Sequence, residues 1–389
     1  MLVREQRDLE IKKKKILIIA GEASGDLHGS KLVSALLSLQ PELEIYAVGS
    51  ELMRQAGAKV LIDSATLAVV GITEVFGQLP NIFKAYRALK KFIREENLSL
   101  LVLIDFPDFN LRLAKVAHRQ KIPILYYISP QVWAWRKGRV QKIANLVNKM
   151  AVILPFEVDL YKEAGLEVEF VGHPLLDVIS YGQEDLWEEG GKIEKGNPCI
   201  ALLPGSRLKE VKSLLPAMLE AAKIILAKKS TAKFILPIAP SIPRTEIEKI
   251  LPASLEVPLI ITENQAYWAM ATADLIIVAS GTATLEAAIF QKPMIIVYQV
   301  SFLSYIIGKA LIKVRWVGLV NIIAGKKIVP ELLQGDVQGD LIAAEALKIL
   351  EDETYRKEML INLAEVRKKL GAPGAAGRVA QLALRMMGN

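Results

Sequence analysis

Two acidic residues follow an apolar segment in the first half of the chain. Asp105 and Asp108 lie in the string DFPDFN, directly after LLVLI at residues 100–104. A carboxylate at the end of a buried strand can act as a general base and take a proton from an attacking hydroxyl. Pro107 argues against regular helix or central strand here, which predicts a shaped loop. We interpret Asp105 as the functional acid and Asp108 as a cap for a helix that begins near Asn110.

A glycine-rich turn follows the first apolar segment, ILIIA at residues 16–20. Its sequence, GEASGD, contains Ser24, Gly25 and Asp26, and it lacks the spacing G-x-G-x-x-G, which argues against a nicotinamide enzyme. Free backbone N–H groups at the start of a helix can bind a phosphate. The same segment can also be a tight turn in which Ser24 or Asp26 caps the helix. Both alternatives stay open at this point.

Two loops of small residues in the second half are candidates for binding a diphosphate. The string LPGSR holds Gly205, Ser206 and Arg207, and an arginine can contact two phosphate oxygens at once. The string SGTATLE follows LIIV at residues 275–278, and its small residues allow a phosphate to approach the backbone closely. A capped helix start would explain its hydroxyls but not the whole cluster. The candidate ligands in this loop are Ser280, Gly281, Thr282, Thr284 and Glu286.

The aromatic, histidine and cysteine residues give weaker signals. Trp133, Trp135 and Arg136 could stack on a sugar or hold an acyl chain, although tryptophan pairs are ordinary core and interface residues. His173 stands before a proline at the presumed linker, and we favour a structural role for it. No two histidines have metal-site spacing, and the single cysteine, Cys199, excludes a thiolate zinc cluster and an intrachain disulfide.

The elements that must position these residues are strands alternating with helices. Short apolar strands separated by amphipathic helices are typical of βαβ units in a parallel sheet, where ligands bind beyond the carboxyl ends of the strands. We therefore predict an α/β protein with two Rossmann-like, doubly wound domains facing a cleft. The domains span residues 1–172 and 173–364, and a helix at 365–389 crosses back to the first domain. The predicted strands are 16–20, 44–48, 100–104, 122–128, 152–154, 169–171, 199–203, 233–237, 259–261, 275–278 and 294–297.

Composition sets limits on location and partners. The chain has 389 residues, of which 52% are hydrophobic, and this is enough for two buried cores. The longest uncharged apolar stretch, residues 293–308, is shorter than a membrane-spanning helix needs, and the charged N-terminus does not resemble a signal peptide. These features predict a cytoplasmic protein. The net charge of +7 suggests an anionic partner, which could be nucleic acid, anionic lipid or a phosphorylated substrate.

One predicted helix combines an apolar face with basic neighbours. The pattern suits a helix that dips into an anionic membrane, and it equally suits a helix packed on the sheet with a solvated basic face. On periodicity alone we favour packing. The apolar face consists of Leu79, Ile82, Phe83, Tyr86 and Leu89, and the basic residues are Lys84, Arg87, Lys90, Lys91 and Arg94.

Taken together, these strings resemble the lipid-A-disaccharide synthases. GEASGD, VVGITEV, DFPDFN, YYISPQVWAWR, FVGHPLLD, LLPGSR, SGTATLE and VNIIAG…VPELLQ occur in this order in that family, over about residues 16–334. VWAWR and DFPDFN are the specific strings. The resemblance implies a GT-B fold and an inverting glycosyl transfer that needs neither metal nor cofactor. It also adds Asn321, Glu331 and Gln334 as donor-side residues.

The resemblance further implies the substrates. The donor would be UDP-2,3-diacylglucosamine and the acceptor 2,3-diacylglucosamine 1-phosphate, giving a β-1,6-linked disaccharide and UDP. Asp105 matches the family's proposed general base, Arg207 and residues 280–282 would meet the diphosphate, and Glu286 would hold the ribose. Nucleic acid then has no role as a partner, whereas a second copy of the chain remains a candidate.

The family works at the cytoplasmic face of the inner membrane, which makes an anionic membrane surface an expected partner. This favours lipid contact by the helix at residues 75–94. Two alternatives remain in view. One is another UDP-sugar enzyme of the GT-B fold, such as a UDP-N-acetylglucosamine 2-epimerase. The other is a membrane-associated binding protein without catalysis.

Overall fold

The chain forms two compact units, each built on its own parallel sheet. A computed structural model describes residues 13–67, 72–132, 138–181, 197–252, 254, 256–300 and 315–388. The first unit comprises Met1–Pro174 together with Gly374–Asn389, and the second comprises Leu175–Pro373. The prediction of two doubly wound α/β units is confirmed.

The first unit contains a seven-stranded sheet in the order β3-β2-β1-β4-β5-β6-β7. The strand order reverses direction between β1 and β4, and such a point opens a crevice at the carboxyl ends of the two strands. Its elements are β1 (Lys15–Ala20), α1 (Ala23–Leu39), β2 (Glu44–Gly49), α2 (Glu51–Gln55), β3 (Lys59–Asp63), α3 (Ile72–Glu95), β4 (Leu98–Ile104), α4 (Pro107–Arg119), β5 (Ile124–Tyr127), α5 (Gly138–Ala144), β6 (Lys149–Val152), α6 (Glu157–Lys162) and β7 (Glu167–Phe170).

The second unit contains a six-stranded sheet in the order β10-β9-β8-β11-β12-β13, so its strand order reverses between β8 and β11. The elements of this part of the chain are α7 (Leu175–Tyr181), β8 (Cys199–Leu203), α8 (Leu208–Lys228), β9 (Lys233–Ile238), α9 (Arg244–Glu248), β10 (Leu259–Glu263), α10 (Ala266–Thr272), β11 (Leu275–Ala279), α11 (Ala283–Ile289), β12 (Met294–Tyr298), α12 (Leu319–Ala324), β13 (Glu331–Leu333), α13 (Gly339–Glu351) and α14 (Glu353–Lys369).

The last helix, α15 (Ala375–Met386), packs in the first unit. Its buried residues Val379 and Ala383 share a core cluster with Leu32 and Leu36 of α1. The helix predicted at 365–389 is divided in the structure between the end of α14 and α15. Gly371 and Gly374 adopt left-handed φ values of 89° and 95°, which separate α14 from α15 and turn the chain between them.

Helix α3 corrects the expected lipid-facing stripe. Leu89 is 1% exposed in the core, and Ile82 and Tyr86 pack partly buried against the same core. Phe83 points outward, with 54% exposure and the Arg87 guanidinium 4.3 Å from its ring. The side chain of Leu79 lies outside the described residues. The apolar face from residue 82 onward is therefore mainly a packing face. No helix in the described part of the chain is both long and apolar enough to span a membrane.

Candidate functional site

One group of candidate residues lies at the point where the strand order reverses in the first unit. β1 and β4 pair along their length, ending with Ala20 opposite Ile104, so the residues after the two strands are neighbours. The chain comes so close here that a Cβ on Gly21 would stand 2.3 Å from the Phe106 ring. Only glycine fits at residue 21, and the turn is thereby placed beside Asp105.

Asp105 and Phe106 both adopt the left-handed conformation, with φ of 43° and 47°. This conformation is costly for residues other than glycine and persists only where the surroundings hold it. Here the main-chain oxygen of Asp105 accepts hydrogen bonds from the Tyr126 hydroxyl at 2.6 Å and from Asn110 Nδ2 at 2.7 Å. Buried neighbours thus hold a strained turn that presents one carboxylate.

The environment of Asp105 suits proton transfer near neutral pH. The pKa of its carboxyl is raised to about 6, chiefly by burial and then by the negative charge of Glu22, while a backbone hydrogen bond at Phe106 opposes the shift. A general base works best when its pKa lies near the operating pH. Asp105 would be ionised at neutral pH and still basic enough to accept a proton.

Asp108 differs from Asp105 in its exposure and its ion pairing. Its side chain is 76% exposed and forms an ion pair of 2.6 Å with Arg139. The expectation that α4 begins near Asn110 is wrong, because it begins at Pro107, where proline is well tolerated in a first turn. Asp108 therefore lies inside the first turn and is not the capping residue.

The glycine turn after β1 gives its three candidate residues different roles. Helix α1 begins at Ala23, so Ser24 and Asp26 lie within the helix and neither caps it. Ser24 is exposed, whereas Gly25 is buried against β1. The Asp26 carboxylate accepts from the backbone N–H of Ser50 at 2.6 Å and of Leu52 at 3.2 Å. Asp26 thereby stabilises the start of α2, and a substrate contact by these three residues stays a prediction.

His173 is 6% exposed, and the pKa of its imidazole is lowered to about 4, first by burial and then by His28. The ring is therefore neutral at physiological pH, which suits the structural role expected for it. Trp133, Trp135 and Arg136 lie outside the described residues.

Another group of candidate residues lies where the strand order reverses in the second unit. β8 and β11 pair with Leu203 opposite Val278, so the two phosphate-loop candidates start from adjacent strands. Gly205 has a φ of 116°, and a Cβ there would approach Glu210 Oε2 to 2.4 Å. Ser206 is exposed, and Arg207 is the N-cap residue of α8. The Arg207 side chain is 81% exposed and ion-paired with Glu210 at 2.9 Å.

The loop after β11 combines exposed and anchored residues. Gly281 and Thr282 are exposed, and Gly281 has a φ of 150°, a value that favours glycine. Ser280 Oγ donates to the Val317 carbonyl at 3.1 Å, and the buried Thr284 donates to the Gly281 carbonyl at 2.8 Å. These two hydroxyls shape the loop, and the backbone between them is left accessible to an anion.

Glu286 has a partner that the sequence pattern does not reveal. The Tyr267 hydroxyl donates to Glu286 Oε1 at 3.1 Å, and the Tyr267 ring packs on Phe290. Burial raises the pKa of the Glu286 carboxyl, and the Tyr267 hydrogen bond opposes that rise. Tyr267 is a single residue in α10, 19 positions away, so no local pattern could have signalled the contact.

Asn321 and Glu331 use their polar atoms inside the protein. Asn321 is fully buried, and its Oδ1 accepts from the backbone of Ile328 at 2.8 Å and Val329 at 3.1 Å. Its Nδ2 donates to Glu331 Oε1 at 2.8 Å, and Glu331 also accepts from the backbone N–H of Val317 at 3.0 Å. Asn321, inside α12, thus anchors the segment that follows the helix, and Glu331 anchors the segment that precedes it.

Gln334 lies at the end of β13 with a left-handed φ of 54°, and its side-chain amide faces the backbone of Val300. This contact also belongs to the scaffold of the second unit. The direct donor contacts assigned to residues 321, 331 and 334 by resemblance stay predictions. Within the described ranges, no group of three or more His, Cys, Asp or Glu side chains is arranged to hold a metal ion.

Two parallel-sheet α/β units, each with candidate residues where the strand order reverses, have the architecture of the GT-B fold. The fold is similar to that of the kitacinnamycin glycotransferase, with a TM-score of 0.66 and 14% identity over 96% of this chain and 99% of that one. It is also similar to the UDP-GlcNAc 2-epimerase of Neisseria meningitidis, with a TM-score of 0.61 and 12% identity over the same shares of the two chains.

Sequence similarity then decides the family. The model of the family described as lipid-A-disaccharide synthetase matches residues 16–382. The chain is 46% identical to the lipid-A-disaccharide synthase of Geobacter metallireducens over 96% of this chain and 98% of that protein. The chain belongs to the lipid-A-disaccharide synthase family, whose members are glycosyltransferases.

Proposed function

We propose that the protein transfers 2,3-diacylglucosamine from UDP-2,3-diacylglucosamine to the 6-hydroxyl of 2,3-diacylglucosamine 1-phosphate. The observation that carries the proposal is the Asp105 turn, in which a strained backbone presents a carboxylate with a pKa raised to about 6. A catalytic base needs this combination of fixed position and tuned pKa, and a plain binding protein does not.

The proposed reaction is a single displacement with inversion. Asp105 takes the proton of the 6-hydroxyl, the oxygen forms a bond to the anomeric carbon, and the bond from that carbon to the UDP oxygen breaks. Arg207 and the backbone at residues 280–282 stabilise the negative charge that develops on the diphosphate. Glu286 accepts hydrogen bonds from the ribose hydroxyls. The turn at residues 24–26 contributes to the acceptor side, and residues 321, 331 and 334 support the donor side.

The proposal is tested by measuring UDP release from the purified protein with acylated donor, with and without acceptor. We expect UDP to appear only when the lipid acceptor is present, together with a β-1,6-linked disaccharide, and we expect Asp105→Asn to lower the rate of both about 100-fold or more. Release of UDP or change of the sugar's configuration without acceptor would favour an epimerase. Tight donor binding without turnover would favour the non-catalytic alternative.

We also propose that the protein works at the cytoplasmic face of the inner membrane, bound peripherally to anionic lipid. Phe83 is the candidate for this lipid contact, because its side chain is exposed, whereas Leu89 on the same helix is buried. We expect Phe83→Ser to weaken binding to anionic vesicles while leaving the melting temperature unchanged.

Leu89→Ser is the matched control, because it should lower the melting temperature by removing a buried side chain, at a cost of about 3 kcal/mol. If Phe83→Ser leaves vesicle binding unchanged, this residue has no part in membrane contact.

A further inference from the structure

A basic groove runs between α3 and α4 on the helical face of the first unit. The cavity has a volume of about 270 Å³, and polar side chains dominate its lining. Five of the eight lining residues are cationic and none is acidic. The lining consists of Tyr86, Lys90, Arg94, Arg112, Lys115, Val116, Arg119 and Gln120.

The helices hold these cations in place. Lys90 and Arg94 are four residues apart on α3, so they lie on one face of that helix. Arg112, Lys115 and Arg119 have spacings of three and four on α4 and form a second row. Val116 between them is 7% exposed and packs in the core, and the Tyr86 ring packs against the same core. The floor of the groove is thus part of the packed fold.

The nearby carboxylates pair elsewhere. Glu95 forms its ion pair with Lys91, and Glu96 forms its own with Lys15. Asp108, the acidic residue in the first turn of α4, pairs with Arg139. Among the residues that the structure describes, none of the five groove cations has an ion-pair partner. A protein that gathers like charges without compensation lowers its own stability, so an external anion is the natural complement.

The groove is separate from the Asp105 site. Arg112 is five residues and Arg119 twelve residues beyond Pro107, which corresponds to roughly 8 and 18 Å along the axis of α4. The cations therefore run away from the carboxyl edge of the sheet. A ligand held by them would not contact the reacting atoms.

We propose that the α3–α4 groove is a second binding site that takes a phosphate monoester. Two rows of cations facing one cavity match a compact dianion with several acceptor oxygens, and arginine can contact two of those oxygens at once. A phosphodiester carries one charge and a substituent on each side, so it matches the groove less well. The monoester could belong to a lipid headgroup or to a free phosphate. The site does not depend on the proposed glycosyl transfer.

The test compares sedimentation of the full chain with three kinds of vesicle. These are phosphatidylcholine alone, phosphatidylcholine with phosphatidic acid, and phosphatidylcholine with enough phosphatidylglycerol to match the surface charge. Phosphatidic acid carries a monoester and phosphatidylglycerol a diester. We expect the wild type to bind the phosphatidic acid vesicles best. Equal binding to the two anionic vesicles would overturn the assignment to a monoester.

The decisive variant is Arg112→Gln with Lys115→Gln. One Lys or Arg near an anionic surface contributes roughly a fivefold change in affinity, so the double variant should bind phosphatidic acid vesicles about 25-fold more weakly. Both side chains are exposed, and we expect an unchanged melting temperature. Turnover on micellar substrate should also stay unchanged, so failure of this proposal is distinguishable from failure of the glycosyltransferase assignment.

The matched control is Lys142→Gln with Lys162→Gln, which removes the same charge from exposed positions elsewhere in the first unit. An equal loss of binding in the control would mean that only net charge matters, and the site would be refuted. Inorganic phosphate distinguishes the two sources. If it binds the wild type in calorimetry, with no binding to the groove variant, and also displaces the protein from vesicles, the site takes the free anion. If inorganic phosphate neither binds the wild type nor displaces it from vesicles, and the preference for phosphatidic acid persists, the monoester belongs to a lipid headgroup.

Discussion

The carboxyl edges of the two sheets use their motif residues in different ways. In the first unit, the DFPDFN segment bends into a strained turn that presents the Asp105 carboxylate, and the supporting hydrogen bonds go to its main-chain oxygen. In the second unit, the side chains of Asn321 and Glu331 form hydrogen bonds with the backbone of the segments on either side of α12.

The difference separates side chains that can contact a ligand from side chains whose polar atoms maintain the fold. A side chain whose polar atoms are satisfied inside the protein would have to break those bonds before it could bind a ligand, and each broken bond in a buried setting has a cost. A motif match assigns importance to both kinds of residue equally. The hydrogen-bond pattern divides them, and mutation can test that division.

The largest effect should come from Asp105→Asn. Loss of a general base typically lowers turnover 100-fold or more, and UDP should still bind because the loops proposed to bind the donor are in the other unit. Steady-state kinetics and calorimetry with UDP measure the two quantities. Asp108→Asn is the matched control and should change turnover by less than about threefold, as expected for an exposed ion pair. Near-normal activity of Asp105→Asn at neutral pH would refute the assignment.

The pKa of Asp105 makes a separate prediction about pH. Since it is raised to about 6, kcat/KM should fall below pH 6 as the carboxylate becomes protonated. A raised carboxyl pKa also means that the folded protein binds this proton more tightly than the unfolded chain does. Protonation of Asp105 therefore stabilises the fold, and this stabilisation is lost as pH rises through 6. Asp105→Asn should therefore melt at a higher temperature than the wild type at pH 8, and the difference should shrink toward pH 4. A constant difference across this range would contradict the shifted pKa.

Asn321→Ala should lower the stability of the fold, whereas Asp105→Asn should lower turnover. The change strands two backbone N–H groups and one carbonyl in a buried loop, which should cost about 3 kcal/mol or more. We expect a lower melting temperature of the second unit, with activity falling in proportion to the folded fraction. Asn362→Ala is a suitable control, since that asparagine makes one hydrogen bond near the surface of α14. If Asn321→Ala keeps its melting temperature but loses activity, Asn321 contacts the substrate directly and its main role is not to maintain the fold.

Arg207→Ala should have a smaller effect. The side chain is exposed and forms an ion pair with Glu210 at the surface, so we expect its removal to leave the fold intact. A charge-assisted contact to the diphosphate would be lost, which should weaken UDP binding about tenfold or more. Lys209→Ala removes a neighbouring exposed cation as control. Equal loss in both variants would indicate a general charge effect, and no loss in either would remove Arg207 from the donor site.

The smallest effect should come from Tyr267→Phe. Without the hydroxyl, the pKa of Glu286 should rise further, because the hydrogen bond that favours the carboxylate is gone. UDP affinity should fall a few-fold, and more at pH 6 than at pH 8, since a protonated Glu286 accepts fewer hydrogen bonds from ribose. Tyr355→Phe on α14 is the control. A loss of affinity that does not vary with pH would point to altered packing on Phe290 instead.

The amino-acid sequence by itself determined the fold class and the position of the candidate acid. Short apolar strands such as LLVLI can be buried on both faces only in a parallel sheet covered by helices, and the residue after such a strand must reach the ligand edge. The position of Asp105 follows from this rule alone. The same rule does not predict strands β3 and β13, because each is short and only half-buried and so lacks a clear apolar pattern.

Only the tertiary structure decided which side chains are available. Asp26 stabilises a turn 24 residues away, Tyr267 supports Glu286 from another helix, and Leu89 is buried where Phe83 is not. A local pattern specifies what kind of group each residue carries and which face of its element it occupies. The partner of each residue depends on the order of strands in the sheet, because this order brings distant segments together. Spacing along the chain does not reveal it.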